Sequence, residues 1–150
     1  MIEVSILDYG AGNLENISHA IKHIGARPQL VCDDKIRINC SHMILPGVGA
    51  FGPAMHELRV RNLIGVIDRH VIAGKPFLGI CLGMQLMADS SEEKGNFKGL
   101  SLIKGKVMKI QNKNNLRIPH MGWNSLHIKK NNKLLKNISD KSAFYFVHSY

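Results

Sequence analysis

The first half of the chain alternates between short apolar runs and segments whose apolar side chains recur at helical spacing. The apolar runs are typical of buried strands and lie at Ile2–Leu7, Gln29–Cys32, His42–Leu45 and Pro76–Ile80. The helical spacing predicts helices at Leu14–Ile24, Phe51–Arg61, Leu63–Ala73 and Leu82–Ala88. Strands and helices that alternate in this way form parallel sheets covered on both faces. We therefore predict an α/β fold with a largely parallel sheet flanked by helices.

The second half of the chain has a different pattern. Val107–Ile110, Ser125–Ile128 and Ala143–Val147 alternate or run apolar, with polar turns between them, which predicts strands of a more antiparallel region. The lysine-rich run Lys129–Lys133 is typical of a turn between two such strands. The sequence stops at Tyr150, soon after the last of them. We therefore expect one domain over residues 1–150 that has an antiparallel extension and is incomplete at its C-terminus.

The composition is that of an ordinary globular domain, with 150 residues of which 45% are hydrophobic and 21% charged. No apolar run approaches the ~20 residues that span a bilayer. The N-terminal segment Met1–Val4 also lacks the basic start of a signal peptide. Three cysteines without paired spacing argue against a disulfide framework. We expect a cytoplasmic protein that has no structural metal and does not bind a membrane.

The formal net charge of +9 raises nucleic-acid binding as one interpretation. The basic residues concentrate after Lys94 and in the Lys129–Lys133 run, where no aromatic side chains are interleaved to stack on bases. Lysines on a solvated surface are the more ordinary explanation, so we expect no nucleic-acid partner. An acidic partner protein stays open as a third interpretation.

The strongest chemical motif is Gly79–Gly83, in which Cys81 lies between two glycines, after a predicted strand and before a predicted helix. This context is typical of a nucleophile elbow, whose sharp bend points the nucleophile out of the sheet. The helix N-terminus favours a thiolate at Cys81, and the Leu82 amide can donate to an oxyanion. The alternative is a buried cysteine before a helix, but the flanking glycines favour catalysis.

Two other glycine-rich turns follow predicted strands. Pro46–Gly49 ends the third strand, where its amides can line a pocket and supply a second oxyanion donor; a plain loop is the alternative. Gly10–Gly12 is similar to the start of a dinucleotide fingerprint, but Glu15 occupies the position of the third glycine. Because a carboxylate there repels a pyrophosphate, we expect no nicotinamide or flavin and no other cofactor.

A family resemblance is carried by five segments, Asp8–Asn13, Pro46–Gly49, Gly79–Met87, Pro119–Asn124 and Phe146–Tyr150. Together they resemble the class I glutamine amidotransferases and, more narrowly, the glutamine amidotransferase subunits of imidazole glycerol phosphate synthase. The resemblance runs over essentially the whole chain. It implies hydrolysis of glutamine to glutamate and ammonia through a Cys81 thioester. It also implies a heterodimer in which ammonia passes to a (β/α)₈ synthase subunit that makes imidazole glycerol phosphate in histidine biosynthesis.

The resemblance further implies roles for individual residues. The thiol of Cys81 attacks the side-chain amide of glutamine, and the backbone amides of Val48 and Leu82 stabilise the oxyanion. Four residues are implied to bind the substrate: Gly49, Gln85, Ser149 and Tyr150. Five are implied to lie at the interface with the synthase subunit: Asn13, Pro119, His120, Trp123 and Asn124.

One departure from the family bears on catalysis. The family's base and its orienting acid lie in a His-Pro-Glu segment on a later strand, and this sequence has no such segment before it ends at Tyr150. His148 matches a pocket-lining position and not the base. Because a thiolate without a histidine partner lacks the acid that protonates leaving ammonia, we expect this chain to be a fragment that is inactive by itself.

Two alternatives to this assignment stay open. One is a paralogous subunit that supplies ammonia to another acceptor, such as a sugar. The other is a catalytically inactive scaffold that keeps the fold, which the missing His-Pro-Glu segment favours. Reading the coding sequence past Tyr150 distinguishes a continued enzyme from a scaffold.

Overall fold

The structure is a computed structural model that describes residues 1–35, 40–112, 117–130 and 132–150. The chain forms two compact units, Met1–Met108 and Lys109–Tyr150. The first unit contains, in chain order, β1 (Glu3–Leu7), α1 (Leu14–His23), β2 (Arg27–Val31), β3 (His42–Leu45), α2 (Phe51–Val60), α3 (Leu63–Ile72), β4 (Phe77–Gly79), α4 (Leu82–Leu86), β5 (Ala88–Ser91), β6 (Phe97–Lys98) and β7 (Ile103–Val107). The second contains β8 (His120–Ser125), a 3₁₀ turn (Lys133–Leu135) and β9 (Ala143–His148). Among the helices described, none combines the length and apolar character needed to cross a membrane.

The main sheet of the first unit is parallel throughout, in the order β2-β1-β3-β4. Parallel neighbours need a crossover connection, which α1 supplies between β1 and β2 and the α2–α3 pair supplies between β3 and β4. The prediction of an α/β fold with a largely parallel sheet flanked by helices is confirmed.

Alternate residues of the central strands bury their side chains on opposite faces of the sheet. On one face, Val4 and Ile6 of β1 pack with Ile21 of α1. On the other face, Met43 and Leu45 of β3 belong to a larger core that includes residues of α2, α3 and α4. Burial on both faces explains why these strands are continuous apolar runs and not alternating ones.

A second sheet in the first unit corrects the predicted helix over Leu82–Ala88. The helix ends at Leu86, and Ala88 begins β5, which pairs antiparallel with β6 and parallel with β7. The carbonyl of Leu86 accepts from the Leu100 amide, and the carbonyl of Met87 accepts from the Ile103 amide. These bonds to a distant segment satisfy the end of the helix and turn the chain into the second sheet.

The strand predicted over Val107–Ile110 is also wrong in its position. The structure has β7 at Ile103–Val107, where Ser91 of β5 lies opposite Val107. Most of this strand is exposed and it contains two lysines, so its residues show no apolar pattern. Pairing with β5 determines where the strand lies.

The second unit is built on an antiparallel pair in which β8 and β9 align from His120↔His148 to Ser125↔Ala143. The strand predicted at Ala143–Val147 is confirmed, one residue longer. The strand predicted at Ser125–Ile128 is wrong, because the pairing ends at Ser125 and the Ile128 amide donates to the carboxylate of Asp140. The predicted turn at Lys129–Lys133 lies between the two strands, and its Asn131 lies outside the described residues.

Candidate active site

The turns that follow β1, β3 and β4 leave the same edge of the main sheet, because these three strands are parallel neighbours. The turns contain three of the motifs found in the sequence, Asp8–Asn13, Pro46–Gly49 and Gly79–Gly83. Open α/β sheets bind their ligands at the carboxyl ends of the strands. The pairing of Leu45 with Gly79 starts the second and third turns at the same level of the sheet. This edge is therefore the candidate active site.

Cys81 lies at the bend between β4 and α4, and its backbone adopts φ 53° and ψ −119°. This conformation is rare for a residue with a side chain and costs roughly 1–3 kcal/mol, so the surroundings must impose it. The Ile80 amide donates to the Leu45 carbonyl at 2.9 Å, which fastens the bend to β3. Cys81 is exposed, as a nucleophile elbow requires.

Close packing explains why glycines flank this bend. A Cβ added at Gly83 would lie 1.9 Å from the Leu45 carbonyl oxygen, and one added at Gly79 would lie 2.6 Å from the Cα of Met84. Both contacts are with backbone atoms, which cannot rotate away as a side chain can. The glycines therefore allow α4 to begin directly against the ends of β3 and β4.

The first amides of α4 leave one donor without a partner. The amide of Gly83 donates to the Ile80 carbonyl at 2.9 Å, and the amides of Met84 and Gln85 donate to the Cys81 carbonyl at 3.0 and 3.2 Å. The amide of Leu82 has no preceding carbonyl within the helix to accept from it, and no other described residue accepts from it. It is available to a substrate oxygen, although its role as an oxyanion donor remains a prediction.

The Pro46–Gly49 turn packs against the elbow at its start and is open at its end. A Cβ added at Gly47 would lie 2.7 Å from the Gly83 nitrogen. Val48 is 59% exposed. At Gly49, where φ is 101°, an added Cβ would meet nothing within 4 Å. The two positions predicted for an oxyanion donor and a substrate contact are thus the open part of the turn.

Two side chains to which the sequence assigned no role hold the ends of this turn. The hydroxyl of Tyr9 donates to the Pro46 carbonyl at 2.7 Å. The carboxylate of Glu93 accepts from the Phe51 amide at 2.7 Å, at the start of α2, whose own N-cap residue makes no side-chain bond. Burial and, to a smaller extent, Cys81 raise the pKa of Tyr9 above its ordinary value, so its hydroxyl stays protonated and continues to donate.

The first unit contains two more residues predicted for the site. Gln85 is half-buried on α4, one turn after Cys81. Asn13 is exposed and forms the N-cap of α1, with its side-chain oxygen accepting from the Asn16 amide at 3.1 Å. This cap accounts for the asparagine structurally. The predicted contacts of Gln85 with glutamine and of Asn13 with the synthase subunit remain predictions.

The other predicted residues lie in the second unit, on or beside β8 and β9. The Nδ1 atom of His120 lies 2.9 Å from Nε2 of His148, and Nδ1 of His148 lies 2.9 Å from the Tyr150 carbonyl. Trp123 is 74% exposed, and its ring meets Tyr145 edge-on with centroids 5.7 Å apart. The same unit contains Pro119, Asn124 and Ser149. The roles predicted for these residues in substrate and partner binding remain predictions.

The first unit therefore brings a candidate nucleophile next to candidate oxyanion donors, Cys81 beside Leu82 and the Pro46–Gly49 turn. Within the described part of the first unit, no histidine forms a hydrogen bond with the Cys81 sulfur. The arrangement can hold a carbonyl group that is attacked by a thiol, which is the chemistry of acyl transfer.

Comparison with known protein families agrees with this chemistry. The family described as "Glutamine amidotransferase class-I" matches residues 5–150. The chain belongs to the class I glutamine amidotransferases. Glutamine is the amide donor of this family, and the thiol on the elbow remains the candidate for the attack on its side-chain amide.

Individual amidotransferase relatives are similar over nearly the whole chain. The imidazole glycerol phosphate synthase subunit HisH of Aquifex aeolicus is 44% identical, with 97% of this chain and 70% of the relative covered. The subunit of the same name from Methanosarcina acetivorans is 46% identical, with 100% and 73% covered. A crystal structure of a glutamine amidotransferase has a TM-score of 0.72 at 16% identity, covering 96% of this chain and 70% of that one. At that identity the structural likeness shows the shared fold alone.

Proposed function

We propose that this chain is the glutamine-hydrolysing subunit of imidazole glycerol phosphate synthase, in which ammonia released from glutamine passes to a (β/α)₈ synthase subunit for histidine biosynthesis. The two HisH relatives support this assignment, because they match 97% and 100% of the chain at 44% and 46% identity. The observation that carries the chemistry is Cys81 on its strained bend, with φ 53°. The free cysteines Cys32, Cys40 and Cys81 fit the reducing cytoplasm, which is the proposed location.

In the proposed reaction, the sulfur of Cys81 attacks the amide carbon of the glutamine side chain. A C–S bond forms as the carbonyl electrons move onto the oxygen, which accepts hydrogen bonds from the amides of Leu82 and Val48. The C–N bond then breaks, and the proton given up by the thiol balances the one that leaving ammonia needs. Water attacks the remaining glutamyl thioester, releasing glutamate and restoring the thiol.

The remaining site residues have two proposed tasks. One is substrate binding, in which Gln85 is proposed to hold the amino-acid end of glutamine and Gly49, Ser149 and Tyr150 are proposed as further substrate contacts. Contact with the synthase subunit falls to Asn13 in the first unit and, in the second, to Pro119, His120, Trp123 and Asn124. The 74% exposure of Trp123 supports the second task, since aromatic side chains are enriched at protein interfaces.

The test compares cysteine variants of the full-length gene product in complex with its synthase subunit. We expect Cys81→Ala to reduce glutamate release from glutamine to background, while product formation from added ammonium salt continues. The matched control is Cys32→Ala, which removes a half-buried thiol and should leave glutamate release unchanged. An electrophilic glutamine analogue should label Cys81 and neither Cys32 nor Cys40. If Cys81→Ala still releases glutamate, the thiol is not the nucleophile.

A further inference from the structure

Tyr9 connects two of the turns at the candidate active site. It follows β1, its side chain is fully buried, and its hydroxyl donates to the Pro46 carbonyl at 2.7 Å across a sequence separation of 37 residues. Pro46 opens the turn that contains Val48. A residue after one strand therefore fixes the first peptide of a turn that follows the neighbouring strand.

The packing around this hydroxyl leaves little freedom. A Cβ added at Gly47 would lie 2.5 Å from the Tyr9 oxygen and 2.7 Å from the Gly83 nitrogen. The hydroxyl, Gly47 and the start of α4 are therefore in direct van der Waals contact. Because Gly47 lacks a side chain, the hydroxyl can reach the Pro46 carbonyl while the turn still packs against the elbow.

We propose that Tyr9 is a positioning residue for the Val48 amide, an inference that rests on the proposed function. The Pro46 carbonyl and the Gly47 amide share one planar peptide, so fixing the carbonyl fixes that whole plane. The next peptide, which contains the Val48 amide, is joined to it only through Gly47, and glycine has a permissive backbone. Without the hydroxyl, the peptide plane between Pro46 and Gly47 is no longer fixed. The Val48 amide then samples orientations that do not face an oxyanion at Cys81.

The chemistry of the hydroxyl suits a constant anchor. Burial, and secondarily Cys81, raise the pKa of Tyr9 above its ordinary value. The hydroxyl therefore remains protonated at the pH values where a cytoplasmic enzyme works, and its bond to Pro46 does not depend on pH there. An alternative is that the hydroxyl merely satisfies the buried Pro46 carbonyl and has no effect on the reaction.

The experiment compares Tyr9→Phe with wild type in the full-length gene product bound to its synthase subunit. Two reagents report on Cys81. The glutamine analogue 6-diazo-5-oxo-norleucine presents a ketone oxygen at the oxyanion position, whereas iodoacetamide alkylates the sulfur without building charge on an oxygen. We expect Tyr9→Phe to slow labelling by the analogue by about 10-fold, less than the ~10²–10³ of losing a donor outright. Labelling by iodoacetamide should stay unchanged, and kcat for glutamine should fall with little change in KM.

Two further variants sharpen the result. Tyr145→Phe removes a hydroxyl from an exposed tyrosine on β9 and should change neither labelling rate. Gly47→Ala puts a Cβ against both the Tyr9 hydroxyl and the Gly83 nitrogen of the elbow, so it should alter labelling by both reagents, in contrast to the selective effect of Tyr9→Phe. In an amide spectrum, Tyr9→Phe should shift the Val48 and Gly49 resonances.

The outcomes separate this inference from the function on which it rests. Equal slowing with both reagents would mean general disruption, and unchanged labelling with both would mean a purely structural hydroxyl; either result overturns the role of Tyr9. If the analogue fails to label Cys81 in the wild-type complex, the proposed function itself fails, and the role of Tyr9 fails with it.

Discussion

Two glycine-to-alanine substitutions in helices should have opposite effects on stability. Gly83 is the second residue of α4, and Gly65 is the third residue of α3. An added Cβ at Gly83 would lie 1.9 Å from the Leu45 carbonyl oxygen and 3.0 Å from the Pro46 carbonyl oxygen. At Gly65 the nearest atom would be a guanidinium nitrogen of Arg69 at 3.5 Å, the end of a flexible side chain.

The magnitudes follow from these contacts. Gly65→Ala should stabilise the fold by about 0.5–1 kcal/mol, since alanine loses less backbone freedom in a helix than glycine and nothing blocks it. Gly83→Ala has the same intrinsic gain but must push the backbone of α4 away from β3. Overpacking of this kind costs ~1–3 kcal/mol, and separation of the segments also weakens the bond between the Ile80 amide and Leu45, worth about 1 kcal/mol. The net effect expected for Gly83→Ala is a loss of roughly 1–3 kcal/mol.

Urea unfolding followed by far-ultraviolet circular dichroism measures both changes. The midpoint for Gly65→Ala should rise and that for Gly83→Ala should fall, with similar slopes for both transitions. Iodoacetamide labelling of Cys81 should change in Gly83→Ala and not in Gly65→Ala, because only the first substitution displaces the elbow. If Gly83→Ala proves as stable as Gly65→Ala, the close approach of α4 to β3 does not exist as described.

Three further results are expected. Because burial raises the pKa of Tyr9, the neutral phenol is favoured in the folded state. This stabilisation is complete below about pH 10 and is lost as pH rises through the higher pKa of the folded state. Urea midpoints should therefore fall above about pH 10, and they should fall less steeply in Tyr9→Phe. The buried hydroxyl of Ser5 has no partner among the described residues. In urea titrations, Ser5→Ala should therefore leave the free energy of unfolding unchanged or raise it by up to about 1 kcal/mol. A clear loss of stability would reveal a bond to that hydroxyl. Glu93→Ala should lower the free energy of unfolding by about 1 kcal/mol through loss of the cap on the Phe51 amide, and Glu93→Gln should lower it less. Equal stability of both variants and wild type would show that the cap contributes nothing.

The first part of the fold could be predicted well from the sequence, because apolar side chains there are buried at regular intervals along the chain. The strand His42–Leu45 has the bounds that were predicted for it, and α3 ends one residue before the predicted Ala73. Both elements bury apolar side chains at regular spacing in the core of the main sheet. Where the spacing of apolar residues matches the spacing of buried positions, a helix or strand can be predicted without knowing which segments pack against it.

The errors fall where pairing between segments decides the structure. The exposed strand β7 contains Lys104 and Lys106 and has no apolar period, so only its pairing with β5 could reveal it. The end of α4 depends on the amides of Leu100 and Ile103, which lie outside the helix. Local patterns cannot predict acceptors that are satisfied by a distant segment.

The candidate site likewise has one part that could be predicted from local sequence and one part that could not. The motif around Cys81 could be predicted because strand, glycines and helix are contiguous in sequence. The anchors of the Pro46–Gly49 turn could not, since Tyr9 and Glu93 bond to atoms 37 and 42 residues away. One signal was present for Tyr9, because a buried tyrosine hydroxyl usually needs a partner. That signal indicates an acceptor without identifying Pro46.

The geometry of this site depends on the register of β3 and β4 more than on any residue within it. Leu45 pairs with Gly79, so the turn with Val48 and the elbow with Cys81 leave the sheet side by side. A shift by one residue would move one turn by about 3.3 Å along its neighbour and reverse the faces of its side chains. Met43 and Leu45 fill one core and Ile44 the other, so a shift would expose apolar surface on both sides. The burial that stabilises the sheet therefore also sets the distance between the candidate nucleophile and the amides proposed to serve as oxyanion donors.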